Sequence, residues 1–400
     1  MNLRSYINSE DDYFTIPVDE WEELKATVSK DELLDELADI IIEYPLPHAK
    51  LTEEDARQSY QKLKGYWWGD HLVEGGWFAR ESEVSKYHFN FNDSQFFFPR
   101  STRGDYASNY FHIENRFRVG HARTLSPEEV WKDKKKIRQT LQALWTMPEV
   151  YGVNRGTVFT CLRLRQYVAA QFKPSVAKSF YDYFQAKNVL DFSMGWGDRL
   201  AGFYASNTGE TYVGLDPNTA LHEGYAKQVQ MYEEYRTFLE PDKTVEHHPS
   251  PAEDFDYTPY KDFFDVVFTS PPYFNIERYT DQDTQSWKRY STSNEWVDGF
   301  LIKTLSKILP AVKPGGYVAI NIADIYSDGY VAICNPMNDF LASQGLTYLG
   351  AMGLQMMKRP NTSVTGRRKT QALVEKLGDK IDKIPDLKFC EPIWIWQKPS

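Results

Sequence analysis

Between Phe268 and Tyr279 the chain reads FTSPPYFNIERY, an apolar run that ends in a hydroxyl, two prolines and an aromatic ring. Proline lacks the N–H that a strand ladder needs, and it stiffens its neighbours. Ser270 and Tyr273 are therefore held beside Pro271 and Pro272 at a strand end, one offering a polar acceptor and the other a face for stacking. Further polar groups recur at the same kind of position upstream. NVLDFSMGWGDRLAGF runs strand, tight turn, helix: Asp191 closes the strand, Ser193 follows, and Gly195 and Gly197 make the turn. TYVGLDPN ends in Asp216, and SPAEDFD sets Glu253 and Asp254 in a loop before the next strand.

A dinucleotide site would continue as G-x-G-x-x-G, so that a pyrophosphate rests on the helix N-terminus. This chain has Leu200 at the last position, and Asp198 where phosphate charge would be repelled. The turn favours a ligand that is not anionic at this point. Acidic residues at successive strand ends suit a nucleoside without phosphates. Asp216 would accept from the ribose hydroxyls, Glu253 or Asp254 would meet an adenine amino group, and Asp191 would face a positively charged amino-acid end. S-adenosylmethionine (AdoMet) is such a ligand. A single carboxylate at a strand end is more often a helix cap; three in series beside a Gly turn are what single out this stretch.

With these strand ends in place, Ser270-Pro271-Pro272-Tyr273 resembles the fourth motif, (Asp/Asn/Ser)-Pro-Pro-(Tyr/Phe), of the AdoMet-dependent amino-methyltransferases of nucleic acids. The Asp191…Gly195-x-Gly197 turn resembles their first motif. The likeness extends over roughly residues 155–400. AAQFKPSVAKSFYDYF is similar to the family's motif X, which implies that Phe172, Lys173 and Pro174 lie near the methionine portion of the cofactor. Thr269, next to the serine, joins these cofactor candidates. The implied chemistry explains the residue types. An exocyclic amino group is a poor nucleophile because its lone pair is delocalised into the base. Acceptors on Ser270 and the Pro271 carbonyl would hold its two N–H protons, and the nitrogen would attack the sulfonium methyl in line. Tyr273 would stack on an extruded base. Methylation at carbon 5 of cytosine would need a cysteine nucleophile, typically after proline, and none of Cys161, Cys334 and Cys390 follows one. Serine at the first motif position favours cytosine N4 and leaves adenine N6 open. No metal is called for.

The resemblance implies a nucleic-acid partner, and the candidate contacts are basic. Arg100, Arg103, Arg116 and Arg118 interleave with aromatics in FFFPRSTRGDYASNYFHIENRFRVGHAR. Arg278, Lys288 and Arg289 follow the SPPY motif in a polar loop that reads as a lid or strand clamp. Lys358, Arg359, Arg367, Arg368 and Lys369 cluster in MMKRPNTSVTGRRKTQ. Arginine suits phosphate contact and aromatics suit base stacking. The chain's net charge of −10 does not argue against this. Residues 1–60 hold 16 acidic and 5 basic side chains, a net of −11, which leaves the rest at +1.

The elements that must position these groups are legible from periodicity. With 42% hydrophobic and 15% aromatic residues, the 400-residue chain can build a substantial core. It shows no run of 18 apolar residues, no signal-peptide h-region and an odd, scattered set of three cysteines. These features predict no membrane span and a reducing cytoplasm, that of a bacterial cell or a phage-infected host. Residues 1–64 read as an acidic, solvated helical cap. Thr52 with Asp55, and Ser126 with Pro127 and Glu129, have the spacing of helix-starting capping boxes. Residues 65–150 read as an α+β region and candidate target-recognition element, with a basic run, KDKKKIR, on a helix face. Residues 151–400 alternate strands (near 187–192, 211–216, 264–269, 315–321, 346–356 and 392–397) with helices. This predicts an α/β fold with a mostly parallel sheet wound on both faces, and the resemblance implies that it is the Rossmann-like class I methyltransferase fold with a mostly seven-stranded sheet. The resulting expectation is a solitary or phage-type DNA methyltransferase acting on an amino group of a flipped base. An RNA enzyme of the tRNA guanine-N2 type, and a non-catalytic nucleic-acid-binding protein of the same fold, are the rivals.

Overall fold

A computed structural model describes residues 3–6, 12–79, 87–90, 96–147, 151–326, 329–356 and 388–400. The chain forms two compact units that do not follow the expected boundaries at 64 and 150. One unit comprises residues 1–51, 113–170 and 275–281; the other comprises 52–112, 171–274 and 282–400. Among the described residues no helix is long and apolar enough to cross a membrane.

The first unit is helical. In Lys30–Ile41 the apolar residues recur at 33, 34, 37, 38, 40 and 41, so one face is greasy and the other acidic. That greasy face packs with Trp21, Leu24, Ile137, Leu141, Val158 and Leu162 into a core of its own. The acidic segment is therefore not merely a solvated cap. Its outer carboxylates meet the basic run: Arg138 bonds Asp31 (2.7 Å) and Asp35, and Lys134 pairs with Asp39. Both expected capping boxes form, at Thr52 in the second unit and at Ser126 in the first. Ser126 is buried, and its hydroxyl accepts from Glu129 N at 3.2 Å. Ser126→Ala is expected to cost about 1 kcal/mol of stability, read from the urea midpoint.

The second unit is built on a twisted sheet whose main strands are β1 (Asn188–Asp191), β2 (Thr211–Leu215), β3 (Thr244–His248), β4 (Phe264–Thr269), β5 (Val312–Asn321), β6 (Thr347–Gln355) and β7 (Lys388–Gln397). Their order across the sheet is 3-2-1-4-5-7-6. Strands β1 to β5 pair in parallel, and β7 runs antiparallel between β5 and β6. This is the mostly parallel, Rossmann-like sheet that the alternation predicted. The interior strands carry apolar centres, as parallel strands covered on both faces require; in β4, Val266, Val267 and Phe268 are apolar and buried, with Thr269 buried beside them. The edge strand β3, TVEHH, has one apolar residue and escapes a reading by periodicity.

The described strands between residues 65 and 104 do not form a separate α+β region but join the sheet of the second unit. Phe96–Phe98 pairs in parallel with β6, and Val73–Glu74 pairs with Phe96–Phe98. Trp77–Phe78 extends the ladder of β7. The helix Glu53–Lys64 packs on the helices Asp198–Ala205 and His222–Glu233, with Tyr60 stacked on Tyr232 at 4.2 Å between ring centres. The cluster Lys358, Arg359, Arg367, Arg368 and Lys369 lies outside the described residues.

Candidate active site

Strand order reverses between β1 and β4, and open α/β sheets bind ligands in the crevice outside the carboxyl ends at such a point. The Gly turn follows β1 and the SPPY motif follows β4, so the fold brings the two sequence motifs to one edge.

Asp191, at the end of β1, is completely buried. It accepts from Arg199 Nε (2.8 Å) and Nη2 (3.2 Å), the Tyr212 hydroxyl (2.7 Å), the Thr269 hydroxyl (2.8 Å) and Ser193 N (3.2 Å). A carboxylate offers about four lone-pair sites, so five donors saturate it. The expected contact to a cofactor ammonium is therefore not what this side chain is arranged to make. It ties β1, β2, β4 and the helix Asp198–Ala205 together. Burial works against the Arg199 charge, and Asp191 beside it more than offsets that, holding the guanidinium protonated. Thr269 is likewise buried and spent on Asp191. Ser193 contributes backbone, its N–H to Asp191 and its carbonyl to Arg199.

The turn itself is open to a ligand. Gly195 has φ +56°, and a Cβ built on it would meet no atom within 4 Å. Gly197, at φ +69°, has no such room: a Cβ there would lie 2.2 Å from Gln228 Oε1. Gly195 N donates to Asp216 Oδ2 (2.9 Å) and Asn218 N to its Oδ1 (2.9 Å), so each oxygen of Asp216 keeps a lone pair. Burial pushes the Asp216 carboxyl up to about 7, against those two hydrogen bonds. Phe172 packs edge-on against Phe268 at 5.7 Å, with the Arg199 guanidinium over its ring at 5.0 Å. Lys173 pairs with Asp105 at 2.6 Å, and Pro174 opens the helix Pro174–Tyr183. Behind the turn, Asp198 accepts from Gln171 Nε2 (2.8 Å) and the Ser108 hydroxyl, and His112 meets Gln228 at 3.1 Å. Burial lowers the His112 pKa to about 4, so this ring is neutral. Ser108 and His112 come from residues the sequence assigned to target recognition; an aromatic, polar helix gives no local sign that it buttresses a Gly turn.

At the end of β4, Ser270 is half-buried and its hydroxyl bonds to none of the described residues. Pro271 is buried beside it. The Tyr273 hydroxyl donates to Glu391 of β7 and accepts from Ala323 N at 3.3 Å, which anchors the hydroxyl end of the ring. Glu391 was missed. Its signal was the one carboxylate in KFCEPIWIWQ, a strand whose middle is otherwise apolar.

The third acidic position departs from expectation. Glu253 is buried, and its Oε1 accepts from Arg289 at 2.6 Å, while Asp254 is bonded by Arg289 (2.6 Å) and Lys303 (3.2 Å). Burial raises the Glu253 pKa despite the guanidinium. Arg289 is thus an internal partner rather than a phosphate contact, and Lys288 pairs with Asp283 at 3.3 Å. Of the other candidates in the sheet unit, Arg100 and Arg103 are exposed, the latter over Tyr66 at 4.3 Å. Arg100 follows the strand paired with β6, and its N–H donates to Gln355 at the carboxyl end of β6. In the helical unit Arg116 donates to the Ala169 carbonyl (2.8 Å), Arg118 lies near Glu114 and Glu128, and Arg278 is part of a two-residue ladder with Gly120.

No family model matches the chain, and no curated protein matches it. Among solved structures it is similar to the N-methyltransferase NodS from Bradyrhizobium japonicum, 10% identical over 54% of this chain and 87% of that one, with a TM-score of 0.30. It is similar to a SAM-dependent O-methyltransferase from Thermotoga maritima at 13% identity, over 60% and 71%, TM-score 0.33. An rRNA methylase from Streptococcus thermophilus gives 14%, 58%, 100% and 0.31 for the same quantities. These likenesses are too slight to carry a functional reading, which rests on the site's own geometry.

Proposed function

We propose that the protein is an AdoMet-dependent methyltransferase acting on an exocyclic amino group of a base in DNA, with cytosine N4 favoured over adenine N6. The observation that carries the reading is Ser270: an uncommitted hydroxyl at the carboxyl end of β4, braced by two prolines, beside a ring fixed at its hydroxyl and next to an open Gly turn.

The residues fit the cofactor. The open face of Gly195 lets backbone approach a ligand, and Asp216 keeps a lone pair on each oxygen for a ribose diol. When bound, AdoMet supplies an electrophilic methyl group. The chain supplies the rest. Ser270 Oγ and the Pro271 carbonyl would accept hydrogen bonds from the two amino N–H groups, localising the nitrogen lone pair and aiming it, so that as the N–C bond forms and the sulfonium S–C bond breaks one of those protons leaves the nitrogen to solvent. Tyr273 holds the base by its ring face. Pro271 and Pro272 keep the acceptors from swinging away, so the alignment is set before the substrate arrives.

The test is incubation with labelled AdoMet and separate DNA and RNA pools, followed by nucleoside mass spectrometry. Label in a DNA amino-methylated base supports the reading; label in RNA guanine alone transfers it to the RNA class; label in neither removes it. Asp216 adds a pH prediction. An ionised carboxylate is the better acceptor for ribose hydroxyls, and its pKa is about 7. The affinity for S-adenosylhomocysteine (SAH) is therefore expected to rise from pH 6 to pH 8. Calorimetry should find that dependence lost in Asp216→Asn.

A further inference from the structure

Gly195 and Asp216, the two residues best placed to meet the cofactor, have both of their backbone polar groups tied. Gly195 N donates to the Asp216 carboxylate, and the Gly195 carbonyl accepts from the Tyr225 hydroxyl. Asp216 N donates to the His248 carbonyl of β3 at 3.2 Å, and the Asp216 carbonyl lies 2.9 Å from His222 Nε2. His222 and Tyr225 stand three residues apart on the helix His222–Glu233, so they share a face of its first turn. One helical turn therefore reaches the loops after β1 and β2 together.

The hydrogen bonds decide which nitrogen carries each proton. Burial lowers the pKa of both His222 and His247, so the two rings are neutral at pH 7. A carbonyl only accepts, so His222 Nε2 holds the N–H and its Nδ1 holds a lone pair. His247 Nδ1, 2.9 Å from that lone pair, must then be the donor. A line of hydrogen bonds thus runs from His247 in the edge strand β3, through His222, to the Asp216 carbonyl. The Tyr225 ring is buried among His112, His222 and His247, at 5.2, 5.2 and 5.7 Å between ring centres. That packing holds its hydroxyl at the Gly195 carbonyl.

A glycine has more backbone freedom to lose than any other residue. At φ +56°, with no atom within 4 Å of a Cβ built on it, Gly195 gets no steric support on that side. The ties from Tyr225 and Asp216 supply the support instead. A loop held in its binding shape before the ligand arrives loses less entropy on binding, which raises affinity.

We infer that His222 and Tyr225 are positioning residues of the cofactor site, holding the Gly turn and the ribose acceptor in one fixed relation, with His247 setting the His222 tautomer. The inference rests on the cofactor reading above. It extends that reading to side chains that act through Gly195 and Asp216.

The test measures Kd of the full-length protein for SAH by calorimetry, beside the melting temperature without ligand. Tyr225→Phe removes one hydroxyl and keeps the ring, and it should weaken SAH roughly 3–10-fold, as loss of one hydrogen bond does. His222→Ala should weaken it by a similar factor. His222→Gln, whose amide Nε2 can stand where the imidazole Nε2 stood, should bring affinity back to within about twofold of wild type. That rescue separates positioning from bulk packing, and Tyr225→Phe decides the matter if the alanine variant does not fold. Wild-type affinity in Tyr225→Phe and His222→Ala would overturn the inference. So would melting temperatures that fall in step with affinity in every variant, with no rescue by glutamine. A wild type that does not bind SAH would overturn the cofactor reading itself, a different result.

Discussion

Ser270→Ala is expected to lower methyl transfer by about 10²–10³-fold while leaving SAH affinity within about twofold of wild type. The size follows from what one preorganised hydrogen-bonding group contributes when it acts on charge developing in a transition state. The separation of effects follows from the structure. Thr269, one residue earlier, is bonded to Asp191 and belongs to the frame. Ser270 is half-buried and its hydroxyl is hydrogen-bonded to none of the described residues, so its loss removes no hydrogen bond among them. Single-turnover rates beside calorimetric SAH binding make the measurement. A Ser270→Ala enzyme as fast as wild type would remove the serine from the mechanism, and one that no longer binds SAH would make it part of the cofactor pocket instead.

Asp191→Ala should cost about 3–5 kcal/mol of unfolding free energy, the usual consequence of stripping one partner from a buried ion pair. The residue is 0% exposed and Arg199 beside it is 3% exposed. Removing the carboxylate strands a buried guanidinium and leaves the Tyr212 and Thr269 hydroxyls without their acceptor. Because those partners come from β2, β4 and the first helix after the turn, the damage spreads through the centre of the sheet. Urea denaturation of the full chain reads it as a shift in midpoint. Asp191→Asn keeps one acceptor and should fall between. A variant that unfolds at the wild-type midpoint but binds SAH weakly would restore Asp191 to the ligand role that the sequence suggested.

The contrast between these two residues marks how far local reading carries. Both stand at strand ends in recognisable motifs, and both were candidates for chemistry. The prolines that brace Ser270 act on their immediate neighbours, so their effect is written in four consecutive residues. The saturation of Asp191 depends on Tyr212 and Thr269, which lie 21 and 78 residues away. The same division runs through the acidic loop. Glu253 and Asp254 stand where an adenine contact was expected, but Arg289, more than thirty residues on, occupies them. In the helical unit the acidic N-terminus looked solvated because its basic partners, Lys134 and Arg138, are about a hundred residues distant.

The sequence by itself determined the parallel sheet, the Gly turn with its positive φ, both capping boxes and the placing of SPPY at a strand end. Each follows from sterics and hydrogen bonds among residues close in the chain. Only the tertiary structure decided which carboxylates face outward to a ligand and which are consumed within. A charge is cheap to leave in water and costly to bury alone, so its role is set by whatever opposite charge or donor the fold brings to it.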